Sequence, residues 1–377
     1  MRHCARHSYE ILVVLTLTLF CAAGTAAQAH PNPSPAGLIA AGSGSFVVEG
    51  AGRHRGKQIT VFYHRPENLH AGSPVVMVIP GAGRNGDDYR DAWVQSSERY
   101  GVLVLSPSYS ERFYPEFWSY NTAGITREVR LDVALTIDAG PEAWAAVERV
   151  RDELNARIDQ QDLVGASPGD QFLYDLLLLS KAGLLKDLDV QATGMTANPD
   201  PTDWLFPDFD RIFQAAKEQL GLNAERYDLF GHSAGGQILH RLALFAPHGR
   251  ANRILAANSG WYTLPTFDQS FPYGLGGTGL RQDHLVPAFS ANLVVFLGEK
   301  DDANETRGSL QRTPETDRQG THRLARGTYF FESAREAARA MNTNFAWRME
   351  VVPGVGHDYE AMSEAAAHYL YGVQEPE

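Results

Sequence analysis

One hexapeptide constrains the fold more than anything else in the chain: Gly231-His232-Ser233-Ala234-Gly235-Gly236. It follows the short apolar run Tyr227-Asp228-Leu229-Phe230 and precedes Gln237–Phe245, whose apolar residues recur at helical spacing. A G-x-S-x-G segment between a strand and a helix is a sharp turn that lifts the serine hydroxyl above the sheet edge. Glycines flank the serine because side chains there would collide with the strand or the helix. The pattern predicts a nucleophilic serine at Ser233; an inert strand-to-helix connection is the alternative.

The rest of the chain alternates short apolar runs with helical patterns, as expected for a mostly parallel sheet covered on both faces. Strands are predicted at Phe46–Glu49, Gln58–His64, Pro74–Ile79, Val102–Ser106, Tyr227–Phe230, Arg253–Ala257, Leu293–Leu297 and Arg348–Val352. The first two are predicted to form an antiparallel edge. Helices are predicted at Asp87–Tyr100, Gln237–Ala246, Phe330–Met341 and Tyr359–Leu370. About 120 residues separate the strand near Ser106 from the one at Tyr227, far more than one connection needs. The expectation is an insertion over 110–205, largely helical, serving as a packed layer or as a cap. Within it Leu131, Val133, Leu135 and Ile137 alternate like a strand, Pro141–Ile158 has helical spacing, and Phe172–Leu188 is strongly apolar.

The N-terminus reads as an export signal. Arg2 and Arg6 precede an apolar core, Ile11–Phe20, and Ala27-Gln28-Ala29 is a small-x-small cleavage site. The expected division is a signal peptide over 1–29, a flexible leader over 30–45 and a catalytic domain over 46–377. Both cysteines, Cys4 and Cys21, fall inside the signal, so the mature chain has neither disulfide nor thiol chemistry. The formal charge of −12 becomes −13 without Arg2, Arg6 and Glu10, which argues against a nucleic-acid partner. No other segment reads as a membrane span. The expected location is the periplasm or the extracellular space, and the oligomeric state is left open.

A serine hydroxyl needs a base, and the base needs an orienting acid. In this type of fold both follow the serine in the chain. After Leu293–Leu297 comes Gly298-Glu299-Lys300-Asp301-Asp302, and after Arg348–Val352 comes Pro353-Gly354-Val355-Gly356-His357. His357 is the expected base. Asp301 is the preferred acid, with Asp302 in competition and Glu299 a third choice. An oxyanion hole needs two backbone N–H groups. Ala234, at the helix N-terminus, is one. The loop Pro80-Gly81-Ala82-Gly83-Arg84 supplies the other, from Ala82 or else Gly83.

These motifs resemble the α/β-hydrolase superfamily, from about Phe46 to the C-terminus outside part of the insertion. The elbow, the Pro80–Gly83 loop and the late Gly356-His357 are similar to secreted serine esterases of the polyhydroxybutyrate-depolymerase and feruloyl-esterase type. Pro80 stands where His-Gly is commoner. The resemblance implies an eight-stranded α/β-hydrolase fold. It also implies hydrolysis of a small-molecule or polymeric carboxylic ester through an acyl-serine, with no metal or organic cofactor. A peptidase or amidase on the same fold, and a non-catalytic binding protein, are the alternatives. Trp261 and Tyr262 are expected either to line the substrate pocket or to pack the core. Arg307, Arg312, Arg318, Arg323 and Arg326 suggest a solvated lid or a clamp for an anionic substrate group. The aromatic segment Tyr109–Tyr120 is expected near the cleft wall.

Overall fold

The computed structural model describes residues 10–20, 38–114, 117–138, 145–149, 179, 182–302 and 310–372. Two compact units divide the chain: residues 1–26 with 127–196, and residues 27–126 with 197–377.

The larger unit contains an eight-stranded sheet. Its strands are β2 (Gly42–Glu49), β3 (Gln58–Arg65), β4 (Val75–Ile79), β5 (Leu103–Ser108), β8 (Tyr227–His232), β9 (Ala251–Ala257), β10 (Leu293–Gly298) and β11 (Arg348–Val352). Their order across the sheet is β11-β10-β9-β8-β4-β5-β3-β2. Pairing is parallel from β11 to β5 and antiparallel at β5–β3 and β3–β2, so the expected hairpin edge is present. Every residue of β4, β8 and β10 is buried. That double-sided burial is why β4 and β10 read as unbroken apolar runs rather than as alternation.

Helices cover both faces. The stretch expected as one helix over Asp87–Tyr100 is two, α1 (Gly86–Asp91) and α2 (Val94–Tyr100), broken at the fully buried Trp93. The others are α3 (Phe117–Asn121), α4 (Phe206–Leu220), α5 (Ala234–Phe245), α6 (Leu285–Phe289), α7 (Pro314–Gln319), α8 (Arg323–Ala340) and α9 (Tyr359–Tyr371). Helix α4 was not expected. It buries Phe206, Phe209, Ile212, Phe213 and Ala216, one stripe at helical spacing. Each buried Phe there contributes roughly 1.5–3 kcal/mol. Tyr89, Trp93, Met362, Ala366 and Leu370 from α1, the α1–α2 junction and α9 pack against Val76, Val104, Phe230, Leu255 and Phe296 of the sheet.

The smaller unit is a three-stranded sheet in the order β1 (Glu10–Phe20), β6 (Thr126–Asp138), β7 (Leu185–Ala197). β6 covers the alternation expected at 131–137, and a helical segment lies at 145–149. Most of the interior expected to be helical falls outside the described residues. β1 lies within the stretch expected to be the export signal and pairs antiparallel with β6 from Glu10↔Asp138 to Phe20↔Glu128. No helix among the described residues is long and apolar enough to cross a membrane.

Candidate active site

Ser233 ends β8 and begins α5 with φ 56° and ψ −112°. A left-handed conformation at a non-glycine residue costs about 1–3 kcal/mol and persists only where its surroundings enforce it. Here they do. The Ser233 N–H donates to the Ala257 carbonyl at 2.9 Å, and the Ser233 carbonyl accepts from Gln237 at 3.0 Å. The turn is so tight that a Cβ on Gly235 would lie 2.1 Å from the Ile79 oxygen, and one on Gly231 2.5 Å from the Gly235 oxygen.

The two later loops reach the same end of the sheet. His357 Nδ1 and Asp301 Oδ2 are 2.8 Å apart. Asp301 is 2 % exposed, while Asp302 and Glu299 are exposed. Glu299 instead accepts the Gly354 N–H at 2.7 Å. Of the three acids considered, burial and contact single out Asp301. Arg323 Nη1 lies 3.6 Å from the other Asp301 oxygen. The His357 ring lies 4.5 Å, centroid to centroid, from His232, the neighbour of Ser233 in the elbow. No hydrogen bond joins Ser233 Oγ to His357 among the described residues. Approach and alignment of this kind often complete only with substrate bound.

The Pro80–Arg84 loop abuts the serine: a Cβ on Gly81 would sit 3.5 Å from Ser233 Cβ. Ala82 and Gly83 are exposed at its tip, and Ala234 is 2 % exposed at the start of α5. The Ala234 N–H is among the unpaired N–H groups of the helix start, where the dipole favours negative charge.

No family model and no curated protein matches the chain. Solved structures do. The chain is similar to poly(aspartic acid) hydrolase-1 from Sphingomonas sp. KT-1, at 29% identity and a TM-score of 0.64 over 87% of this chain and 98% of that one. It is also similar to a poly(3-hydroxybutyrate) depolymerase from Bordetella parapertussis, at 28% identity and a TM-score of 0.65 over 90% of this chain and 93% of that one. The chain has the α/β-hydrolase fold. The likeness supports an enzyme of the esterase or hydrolase type.

In this α/β-hydrolase fold the two aromatic residues after β9 pack inward. Tyr262 is fully buried and stacks on Phe330 with centroids 4.5 Å apart. Gln319 holds its backbone on both sides, accepting from the Tyr262 N–H at 2.9 Å and donating to the Tyr262 carbonyl at 2.8 Å. Trp261 is 4 % exposed, with the Arg241 guanidinium 4.4 Å from its ring centroid. Of the two expectations for this pair, core packing is the one the contacts fit. Tyr109, Tyr114, Trp118 and Tyr120 are likewise buried.

The arginine-rich segment is mixed: Arg312 and Arg318 are exposed, whereas Arg323 and Arg326 are buried. Arg307 lies outside the described residues, but 314–319 and 323–326 are helical and Arg326 is fully buried. Its guanidinium donates to the carbonyls of Gly320, Gly260 and Gln311. Three carbonyl partners offset the cost of burying the charge.

Two residues shape the site through contacts between segments far apart in the chain. Tyr120 Oη donates to the Pro80 carbonyl at 2.7 Å. Arg84 donates to the carbonyls of Tyr109 and Tyr114 and lies 5.0 Å over the Tyr120 ring. Together they fix both ends of the oxyanion-loop candidate.

Proposed function

We propose that the protein is an exported serine hydrolase that cleaves carboxylic esters through an acyl-serine intermediate. Ser233 Oγ attacks the acyl carbon while His357 Nε2 takes its proton. Asp301 holds Nδ1–H, which fixes the tautomer and supports the imidazolium. The N–H groups of Ala82 and Ala234 receive the oxyanion. Collapse breaks the bond to the alcohol oxygen, which takes the proton from His357. Water, deprotonated by His357, then attacks the acyl-serine, and the acid leaves as Ser233 recovers its proton.

The observation carrying this reading is the 2.8 Å contact between His357 and the buried Asp301, on loops that meet the strained serine. An amide substrate is the second reading. It is favoured by the likeness to a poly(aspartic acid) hydrolase, since that polymer is joined by amide bonds. The test is labelling with a fluorophosphonate and mapping of the adduct. The expected adduct is on Ser233 alone, and labelling elsewhere overturns the mechanism. p-Nitrophenyl esters of short and long acyl chains, a feruloyl ester, a poly(3-hydroxybutyrate) film and poly(aspartic acid) then separate ester from amide cleavage.

Export is part of the proposal. Cleavage after Ala29 makes His30 the first residue of the mature chain and removes β1, so N-terminal sequencing of protein recovered outside the cytoplasm decides it. A mature chain that still begins at Met1 overturns it.

A further inference from the structure

Ala257 and Asn258, at the end of β9, form a junction between three loops. The Ala257 carbonyl accepts the N–H of Ser233 at 2.9 Å, and the Asn258 N–H donates to the Phe296 carbonyl of β10 at 3.1 Å. The Asn258 side chain adds two more bonds. Its Oδ1 accepts the N–H of Gly298 at 2.8 Å, at the head of the loop that leads to Asp301. Its Nδ2 donates to the carbonyl of Gly356 at 3.1 Å, the residue before His357. The side chain is fully buried.

We propose that Asn258 is a positioning residue whose amide fixes the acid loop and the base loop relative to Ser233. The proposal rests on the serine-triad reading given above.

The chemistry at this position asks for asparagine twice. Gly298 offers a donor and Gly356 an acceptor, and a primary amide supplies one acceptor and one donor on a rigid plane. Aspartate would satisfy Gly298 but turn an oxygen toward the Gly356 oxygen. A leucine of similar shape would leave both backbone groups buried without partners, which costs more than the bonds themselves are worth. The backbone makes the second demand. Asn258 has φ 46°, in the left-handed region that glycine and asparagine tolerate best.

The acid and base loops are also tied directly to one another. Glu299 N–H donates to Val352 at 3.0 Å and Lys300 N–H to Val355 at 2.8 Å. Removing the Asn258 amide therefore leaves the Asp301–His357 pair joined. What is lost is the side-chain tie between that pair and the strand end beneath Ser233, while the Asn258 N–H bond to Phe296 stays. The expected defect is a misplaced but intact base, which lowers turnover without weakening ground-state binding.

The experiment compares Asn258→Gly, Asn258→Asp and Ser233→Ala with the wild type on a p-nitrophenyl ester. Asn258→Gly keeps the left-handed backbone accessible and deletes only the amide. For the variants that keep Ser233, turnover is expressed per serine labelled to completion by a fluorophosphonate, so that misfolded protein does not count; for Ser233→Ala it is expressed per folded chain. The expected result for Asn258→Gly is kcat lower by roughly 10- to 100-fold, with KM unchanged within about twofold. Asn258→Asp should lose more, because it adds a repulsion. Wild-type kcat per labelled serine in Asn258→Gly overturns the proposal, because the residue would then be merely structural. If Ser233→Ala is inactive while Asn258→Gly is normal, this proposal alone fails. If Ser233→Ala retains turnover, the triad reading fails and takes the proposal with it.

Discussion

The ring of His232 lies 4.5 Å from the ring of His357, tilted by 39°. His232 Nδ1 and Tyr89 Oη are 3.0 Å apart. Burial pushes the Tyr89 hydroxyl well above its usual range, so Tyr89 keeps its proton. His232 is held neutral, and its Nε2 has no partner among the described residues. Burial, then the neighbouring His357 and Arg323, hold His232 well below the ordinary histidine range. A neutral imidazole is the right neighbour for a base that becomes positive during the proposed reaction.

That assignment predicts how stability depends on pH. Burial, followed by Arg241, also holds His240 well below its ordinary range, against an opposing bond to Gly236. Below about pH 6.5 the unfolded chain protonates both histidines and the folded chain protonates neither. The unfolded state then binds more protons, so stability falls as pH falls. Each histidine contributes about 1.4 kcal/mol per pH unit in that window. Urea unfolding at pH 7, 6 and 5 measures the slope. His240→Asn should remove one histidine's share of it, and an unchanged slope would contradict the neutral assignment.

The proposed triad acid gives the sharpest mutational contrast. Asp301 is buried against His357, whereas Asp302 is exposed. Asp301→Asn should preserve the geometry but favour the wrong His357 tautomer, lowering kcat by up to about ten-thousand-fold. Asp302→Asn should leave kcat near wild type. The reverse outcome would transfer the acid role to Asp302.

The elbow glycines predict a steric defect. A Cβ on Gly235 would lie 2.1 Å from the Ile79 oxygen and 2.9 Å from the Pro80 oxygen. Both atoms are backbone, so no side chain can swing aside. Gly235→Ala should cost about 3 kcal/mol or more, read as a lower urea midpoint. A loss under about 1 kcal/mol would mean that the strand end yields more easily than its packing suggests.

What the sequence made legible follows from local physics. β4 and β10 stood out because double-sided burial writes an unbroken apolar run, and the predicted bounds agree with the observed strands to within a residue. Ser233 was legible because the turn demands glycines on both sides. Asp301 and Asp302 are adjacent carboxylates in one loop, and only tertiary burial separates them. Arg326 was read as solvent-seeking because its carbonyl partners at 260, 311 and 320 converge only in the folded chain. Asn258 had a faint signal, an asparagine directly after a strand in Asn-Ser-Gly. Its partners at 298 and 356 lie far along the chain. Helix α4 also left a local signal, since Phe206, Phe209 and Phe213 carry helical spacing.

The proposed oxyanion loop supplies the last test. Tyr120 is fully buried and donates to the Pro80 carbonyl at 2.7 Å, two residues before the proposed donor Ala82. Tyr120→Phe keeps the ring against Arg84 and removes only the hydroxyl. Leaving the Pro80 oxygen unpaired should cost about 1–3 kcal/mol of stability. A loop released at Pro80 holds the Ala82 N–H less firmly where the oxyanion forms. That interaction is made in the transition state, so kcat and kcat/KM should fall together while KM stays level. Losing such a donor outright costs about a hundredfold or more, so loosening it should cost roughly tenfold. Steady-state kinetics on a p-nitrophenyl ester check this. A raised KM with unchanged kcat would place Tyr120 in substrate binding instead.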